Sequence, residues 1–278
     1  MRPHQWIKNL VVFTAPLFAL RLDGRTLLIA SLACAAFTAT SAATYLTNDV
    51  IDREADRRHP LKRHRPIAAG AISVSVAVVA ACVCLLAGLT LAFWVTPLFG
   101  ITVAAYAALQ AAYTLGLKRE PIVDLMVIAT GFVLRAVGGA AATSVPMSGW
   151  FLVCLGFLAL YLAIEKRKAE IRMSARQGVT RSVLRSYSLP ALLRMESVVT
   201  ASTVMSYGLW AIERTRSLWM LATIPLVAYG IFKYQLITEQ GEGEEPERIL
   251  FRHPELVATV VLWVVLSFLA LRLGGGLR

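Results

Sequence analysis

Three of the chain's five aspartates, Asp49, Asp52 and Asp56, fall in one short run directly after Asn48. At helical spacing they recur at i, i+3 and i+7, so their carboxylates project from one face. Hard oxygen donors arranged this way suit Mg²⁺, which takes one or two carboxylates and completes its shell with substrate phosphate oxygens and water. A strongly basic stretch follows at once, Arg57-Arg58-His59-Pro60-Leu61-Lys62-Arg63-His64-Arg65. A diphosphate needs both a metal and guanidinium or ammonium groups to hold its charge. The pairing predicts a magnesium and diphosphate site, with Asn48, Asp49, Asp52 and Asp56 as the catalytic and metal-holding set and Arg58, Lys62, Arg63 and Arg65 as phosphate partners. The bland alternative is a helix end whose solvated acids are bridged to arginines. Against it, Asp49 and Asp52 lie within a turn of an apolar segment, where an unpaired carboxylate is costly and a bound cation is its natural partner.

The elements that must carry this site are membrane helices. A chain of 278 residues that is 57% hydrophobic and 16% charged has more apolar surface than one soluble core could bury. Apolar windows run near 7–22, 26–47, 71–93, 97–117, 122–142, 148–164, 197–212, 217–237 and 255–273, which predicts about nine transmembrane helices in a single all-α, polytopic domain over residues 1–278. The first window is short and contains Pro16. With the N-terminus inside, about 21 of the 28 lysines and arginines fall on the cytoplasmic side, a strong positive-inside asymmetry that places the aspartate run on the cytoplasmic face. The net charge of +11 is spread over alternating loops instead of one stripe, which argues against nucleic acid as a partner. The charged loops expected on that face span 48–70, 113–121, 165–196 and 233–254, and the run from Gln240 to Pro246 reads as a solvated acidic linker.

Other polar residues stand out against this apolar background. Arg135 lies near the middle of its window, where a charge costs about 2.5–3.5 kcal/mol, so it requires a partner; an ion pair with another helix and a phosphate-binding role are both open. Asp124, eleven residues earlier, shares nearly the same helix face. Lys8 beside Trp6, and Lys118 beyond Tyr113, sit at window ends, where lysine can snorkel or hold phosphate. Cys34, Cys82, Cys84 and Cys154 all lie in apolar windows and read as packing residues. The four histidines lack metal-ligand spacing.

The run Asn48-Asp49-x-x-Asp52-x-x-x-Asp56 resembles the first aspartate-rich motif of the UbiA superfamily of intramembrane prenyltransferases. Further segments resemble the decaprenyl-phosphate phosphoribosyltransferase branch of that superfamily: Arg2-Pro3-His4-Gln5-Trp6-Ile7-Lys8-Asn9, Tyr113-Thr114-Leu115-Gly116-Leu117-Lys118 with Pro121 and Asp124, Gly131-Phe132-Val133-Leu134-Arg135-Ala136, His59-Pro60-x-Lys62-Arg63-x-Arg65-Pro66-Ile67, and Lys166-Arg167-x-Ala169-Glu170. The resemblance covers roughly residues 2–172. It implies a UbiA-like bundle in a bacterial cytoplasmic membrane and a Mg²⁺-dependent transfer of the 5-phosphoribosyl group from phosphoribosyl pyrophosphate to a polyprenyl phosphate, releasing diphosphate. It also raises Lys118 as a phosphate ligand and adds Lys8, Tyr113, Arg135, Glu165 and Lys166 to the substrate-binding set.

One departure is informative. Where ordinary superfamily members carry a second aspartate-rich motif, this chain reads Glu165-Lys166-Arg167-Lys168-Ala169-Glu170-Ile171-Arg172, with no aspartate. A second carboxylate-held metal is therefore less expected, and the cations would suit extra phosphates or anionic lipid. Glu165 would orient a basic neighbour or a ribose hydroxyl. The alternative function is attachment of a polyprenyl diphosphate chain to an aromatic or quinone precursor; a transporter would need charges near mid-membrane on several helices. Expected partners are the two substrates and the bilayer, with a homo-oligomer allowed.

Overall fold

In the computed structural model, residues 3–58, 62–177, 182–215, 219–240, 249–250 and 252–275 are described. Arg2, His59, Pro60, Leu61 and the acidic run 241–246 lie outside them.

Among the described residues all regular structure is helical. Eight long helices follow in order: α1 (Gly24–Ile51), α2 (Val74–Val95), α3 (Pro97–Leu115), α4 (Val123–Thr143), α5 (Gly149–Gln177), α6 (Leu189–Thr215), α7 (Ile224–Glu239) and α8 (Pro254–Gly275). Their starts are written locally. Asp23, Ser73 and Thr96 each cap a helix by accepting a backbone N–H three residues on, at 3.0, 3.3 and 3.1 Å, and Pro97 opens α3, where its missing N–H costs nothing.

Among the described residues, seven segments are long and apolar enough to cross a membrane, against the nine windows expected. The first window forms a 3₁₀ helix, Pro3–Phe13, and a short α-helix, Thr14–Phe18, too short to span. The seventh window is α6, which has the length, at 27 residues. However, it carries Glu196, Thr200, Thr203 and Ser206, all buried, and their polarity sets it apart from the seven. Large apolar side chains such as Leu86, Trp94, Met205 and Leu236 are exposed, as suits a lipid-facing surface. The chain is a multi-pass membrane protein.

The chain divides into two compact units, and α4 contributes its first half to one and its second half to the other. The first unit comprises residues 1–16, 22–117 and 134–145. Its core joins Val12, Phe37, Phe99, Val103 and Tyr106. Small residues let helices approach closely here. A Cβ on Gly88 would stand 2.9 Å from the Ala36 carbonyl of α1, and one on Gly139 would collide with the Val12 carbonyl. The second unit comprises residues 17–21, 118–133 and 146–278. One of its cores gathers Leu125, Tyr161, Leu192, Ile231 and Tyr234, and another gathers Phe18, Tyr207, Trp210 and Met220.

Candidate active site

The aspartate run keeps the helical spacing its sequence predicts. α1 ends at Ile51 and is capped by Asp52, whose N–H donates to the Asn48 carbonyl at 2.9 Å; Asp56 N–H then donates to the Asp52 carbonyl at 2.8 Å. The short helix Arg53–Arg58 therefore continues the α1 stripe almost without a break. The basic loop folds back over it. Arg57 donates to the Ala68 carbonyl at 3.0 Å and to Glu54 at 3.1 Å, and Ala69 N–H closes on the Arg65 carbonyl at 2.8 Å. Gly70 then turns the chain with φ of 79°, a conformation that favours glycine.

At the centre stands Arg65. Its Nη1 bonds both Asp49 Oδ1, at 3.1 Å, and Asp56 Oδ2, at 2.5 Å. Two carboxylates seven residues apart thus converge on one positive nitrogen, which stands in for a cation. Asp56 is buried, whereas Asn48, Asp49, Asp52, Lys62 and Arg65 are half-buried and Arg58 and Arg63 exposed. Among the described residues, no three acidic, imidazole or thiol side chains come together as a complete metal cage. Two converging carboxylates with substrate oxygens and water are nonetheless what Mg²⁺ requires, so the donor set fits that ion. Of the four residues expected to hold the metal, the pair the structure draws onto one cation is Asp49 and Asp56.

The second charged cluster, in the second unit, was only partly foreseen. Arg167 Nε bonds Asp124 Oδ2 at 2.8 Å and its Nη1 bonds Glu170 at 2.5 Å. Lys168 Nζ meets Glu165 at 2.9 Å, Glu239 at 3.1 Å and, more closely still, Glu196. Arg172 bonds the Thr238 carbonyl at 3.0 Å and Glu239 at 2.5 Å. Gln235 and Thr238 donate to Glu196 and Glu165 at 2.7 and 2.5 Å. Arg167, Lys168 and Arg172 are therefore turned onto protein carboxylates instead of outward to phosphates or lipid, because the buried acids of α4, α5 and α6 need counterions. Of the two roles expected for Glu165, its contact with Lys168 is that of orienting a basic neighbour. Lys166, Lys118, Tyr113 and Lys8 are half-buried.

Two residues outside the sequence reading complete this cluster. The Tyr187 hydroxyl donates to Asp124 Oδ1 at 2.6 Å and accepts from Ile122 N–H at 2.5 Å. Burial, and then the Asp124 carboxylate, push its phenol up to about 12. Ile122 is held at φ of 67°, a strained position for a β-branched residue. Asp124 and the charged run Glu165–Arg172 are the sequence signals for this network, and neither points to Tyr187 or Ile122.

Arg135 is buried, and two of its donors reach neutral side chains: Nε donates to Asn9 Oδ1 at 2.8 Å and Nη2 to the Tyr106 hydroxyl at 2.7 Å. Asp124, the acid that shares its helix, pairs with Arg167. Elsewhere, an open groove of about 670 Å³ between α6 and α7 is polar at Ser197, Thr200 and Gln235 and apolar at Val204, Met205 and Phe232.

Fold and site together define an all-helical, multi-pass membrane protein with a carboxylate and arginine cluster where its first long helix ends. The UbiA prenyltransferase family matches residues 10–256, and the chain belongs to that family. It is 36% identical over 272 residues to a decaprenyl-phosphate phosphoribosyltransferase of Mycobacterium tuberculosis, covering 95% of this chain and 90% of the relative. A protein of the same name from Mycolicibacterium smegmatis is 34% identical over 281 residues, covering 95% and 88%. A UbiA homologue from Archaeoglobus fulgidus bound to GPP and Mg²⁺ superposes with a TM-score of 0.74 over 98% of this chain and 97% of that one, at 19% identity; this likeness concerns the fold alone.

Proposed function

We propose that the chain transfers the 5-phosphoribosyl group of phosphoribosyl pyrophosphate to a polyprenyl phosphate of the decaprenyl type, releasing diphosphate. The observation that carries this reading is identity of 36% and 34% along 95% of the chain to phosphoribosyltransferases of that name. In the reaction the bond between ribose C1 and the diphosphate oxygen breaks, and a bond between C1 and a lipid phosphate oxygen forms. Asp49 and Asp56, with Asn48 and Asp52 on the same stripe, are the residues that would hold Mg²⁺. When bound, that ion supplies charge neutralisation to the departing diphosphate. Arg58, Lys62, Arg63 and Arg65 bring donors to the phosphates, and Lys8 and Lys118 are further candidates for them. An ionised phosphate oxygen attacks without a general base, so positioning and electrostatics carry the catalysis.

The same proposal takes the chain as one transferase domain in a bacterial cytoplasmic membrane with its site facing the cytoplasm. The positive-inside asymmetry supports the orientation, and a family match running through both units supports the single domain. The test is to incubate membranes containing the protein with phosphoribosyl pyrophosphate labelled in the ribose and with polyprenyl phosphate. Label entering the lipid fraction, and lost on chelation of divalent ions, is expected. No labelled lipid, together with prenylation of an aromatic acceptor from polyprenyl diphosphate, would replace this reading with the prenyltransferase one.

A further inference from the structure

Helix α1 carries two sets of polar residues on one stripe. Thr38 and Ser41 precede Asp49 and Asp52 by eleven residues, a separation that returns to within about 20° of the same azimuth, about 16 Å along the axis. The lower set is gripped by a buried network. Asn9 Nδ2 donates to Thr38 Oγ1 at 3.0 Å, and the Ser41 and Tyr106 hydroxyls lie 3.1 Å apart. Arg135 then ties Asn9 to Tyr106 at 2.8 and 2.7 Å. Asn9, Ser41, Tyr106 and Arg135 are each at most 4% exposed. One guanidinium on α4 therefore controls two bonds that land three residues apart on α1, one through the N-terminal helix and one through α3.

Apolar packing of Phe37 against Phe99 and Tyr106, with the close approach of Gly88 to Ala36, sets how near α1 lies to its neighbours. Hydrogen bonds are directional and set its rotation as well. Rotation matters because a side-chain head about 5–6 Å from the axis moves about 1 Å for every 10° of roll, and a misplacement of that size can cost about a hundredfold in rate. Resting on the metal and substrate reading above, we propose that Arg135, through Asn9 and Tyr106, is a positioning residue that fixes the rotation of α1 and so aims Asn48, Asp49 and Asp52 at the metal and diphosphate.

The test uses the purified full chain in lipid nanodiscs, with Mn²⁺ as the probe and its free-ion paramagnetic resonance signal as the readout. Tyr106→Phe and Ser41→Ala each remove one hydroxyl and should weaken Mn²⁺ binding about three- to tenfold, and raise by a similar factor the Mg²⁺ concentration that half-saturates transfer. Arg135→Lys should fall between the parent and Arg135→Ala. Trp263→Phe removes the indole donor to Tyr207 in the second unit, 2.7 Å away; it should lower the melting temperature without moving Mn²⁺ affinity. Parental Mn²⁺ affinity in both hydroxyl variants would overturn the proposal, as would an equal shift in Trp263→Phe. A parent chain that binds Mn²⁺ but makes no labelled lipid would overturn only the functional reading, and the Mn²⁺ shifts would still decide the positioning role.

Discussion

Two acid-rich clusters, one in each unit, hold their cations in different ways. Around Arg65 the cation comes from a loop, and the side chains of Arg65, Asp49 and Asp56 retain 22%, 15% and 6% exposure. Around Lys168 the cation comes from the interior of α5, one turn beyond Glu165, and both are sealed at 1% and 0% exposure among acids from α6 and α7. A partly hydrated guanidinium on a loop can leave its carboxylates and let another cation in. A desolvated ammonium fixed by its own helix cannot leave without stranding several buried charges. The first cluster is thus built for exchange and the second for permanence, in the stretch where a second aspartate-rich motif would otherwise stand.

The sharpest way to break this contrast is Lys168→Ala. Stranding Glu165 and Glu196 should cost about 3–5 kcal/mol, seen as a large fall in melting temperature or failure to accumulate, and adding Glu165→Gln and Glu196→Gln should restore much of the loss. A Lys168→Ala protein as stable as the parent would show the second cluster to be exchangeable too. Asp49→Ala should do the reverse: the protein stays folded in detergent while phosphoribosyl transfer falls by on the order of a hundredfold or more. Near-parental transfer in this variant would remove the metal assignment.

Arg65 provides a finer test, because it and a divalent ion compete for the same oxygens of Asp49 and Asp56. Arg65→Gln should tighten Mn²⁺ binding by about tenfold, the equivalent of one charge-assisted hydrogen bond of about 1.4 kcal/mol. The same change should raise KM for phosphoribosyl pyrophosphate, since a phosphate donor is lost. If both constants move in the same favourable direction, Arg65 is only a counterion.

How far the sequence foretold these clusters depended on the range of each contact. The Asn48–Asp56 stripe was legible because i, i+3 and i+7 spacing is a local property of a helix. The spans were legible where apolar runs are uninterrupted; the one expected over 197–212 is not among the seven in the described residues, because Glu196 and several hydroxyls of α6 dilute its apolar character. Arg65 could be named only as one of several neighbouring cations, since the fold-back of the loop onto Asp49, sixteen residues away, decides which one closes the pair. Long-range pairs carried no such mark. Arg167 finds Asp124 across 43 residues, and Arg135 finds Asn9 across 126. Arg135 called for a partner on energetic grounds, yet nothing in its own segment indicated that Asn9 and Tyr106 would help supply one.

The smallest effect concerns Tyr187, which separates the second cluster from its backbone support. Its phenol, ordinarily near 10, is pushed up to about 12 by burial and by Asp124. In alkali the unfolded chain therefore ionises first. The stabilisation is complete below about pH 10 and is lost as pH rises toward 12. Tyr187→Phe should lower stability at neutral pH by only about 1 kcal/mol, because Asp124 keeps its bond to Arg167. It should also flatten the fall in melting temperature between about pH 10 and 12 relative to the parent. Since the Tyr187 hydroxyl also accepts the Ile122 N–H at φ of 67°, the same variant should speed amide exchange at Ile122 while leaving Mn²⁺ affinity untouched. A shift in Mn²⁺ affinity would mean that the permanent cluster and the exchangeable one are coupled.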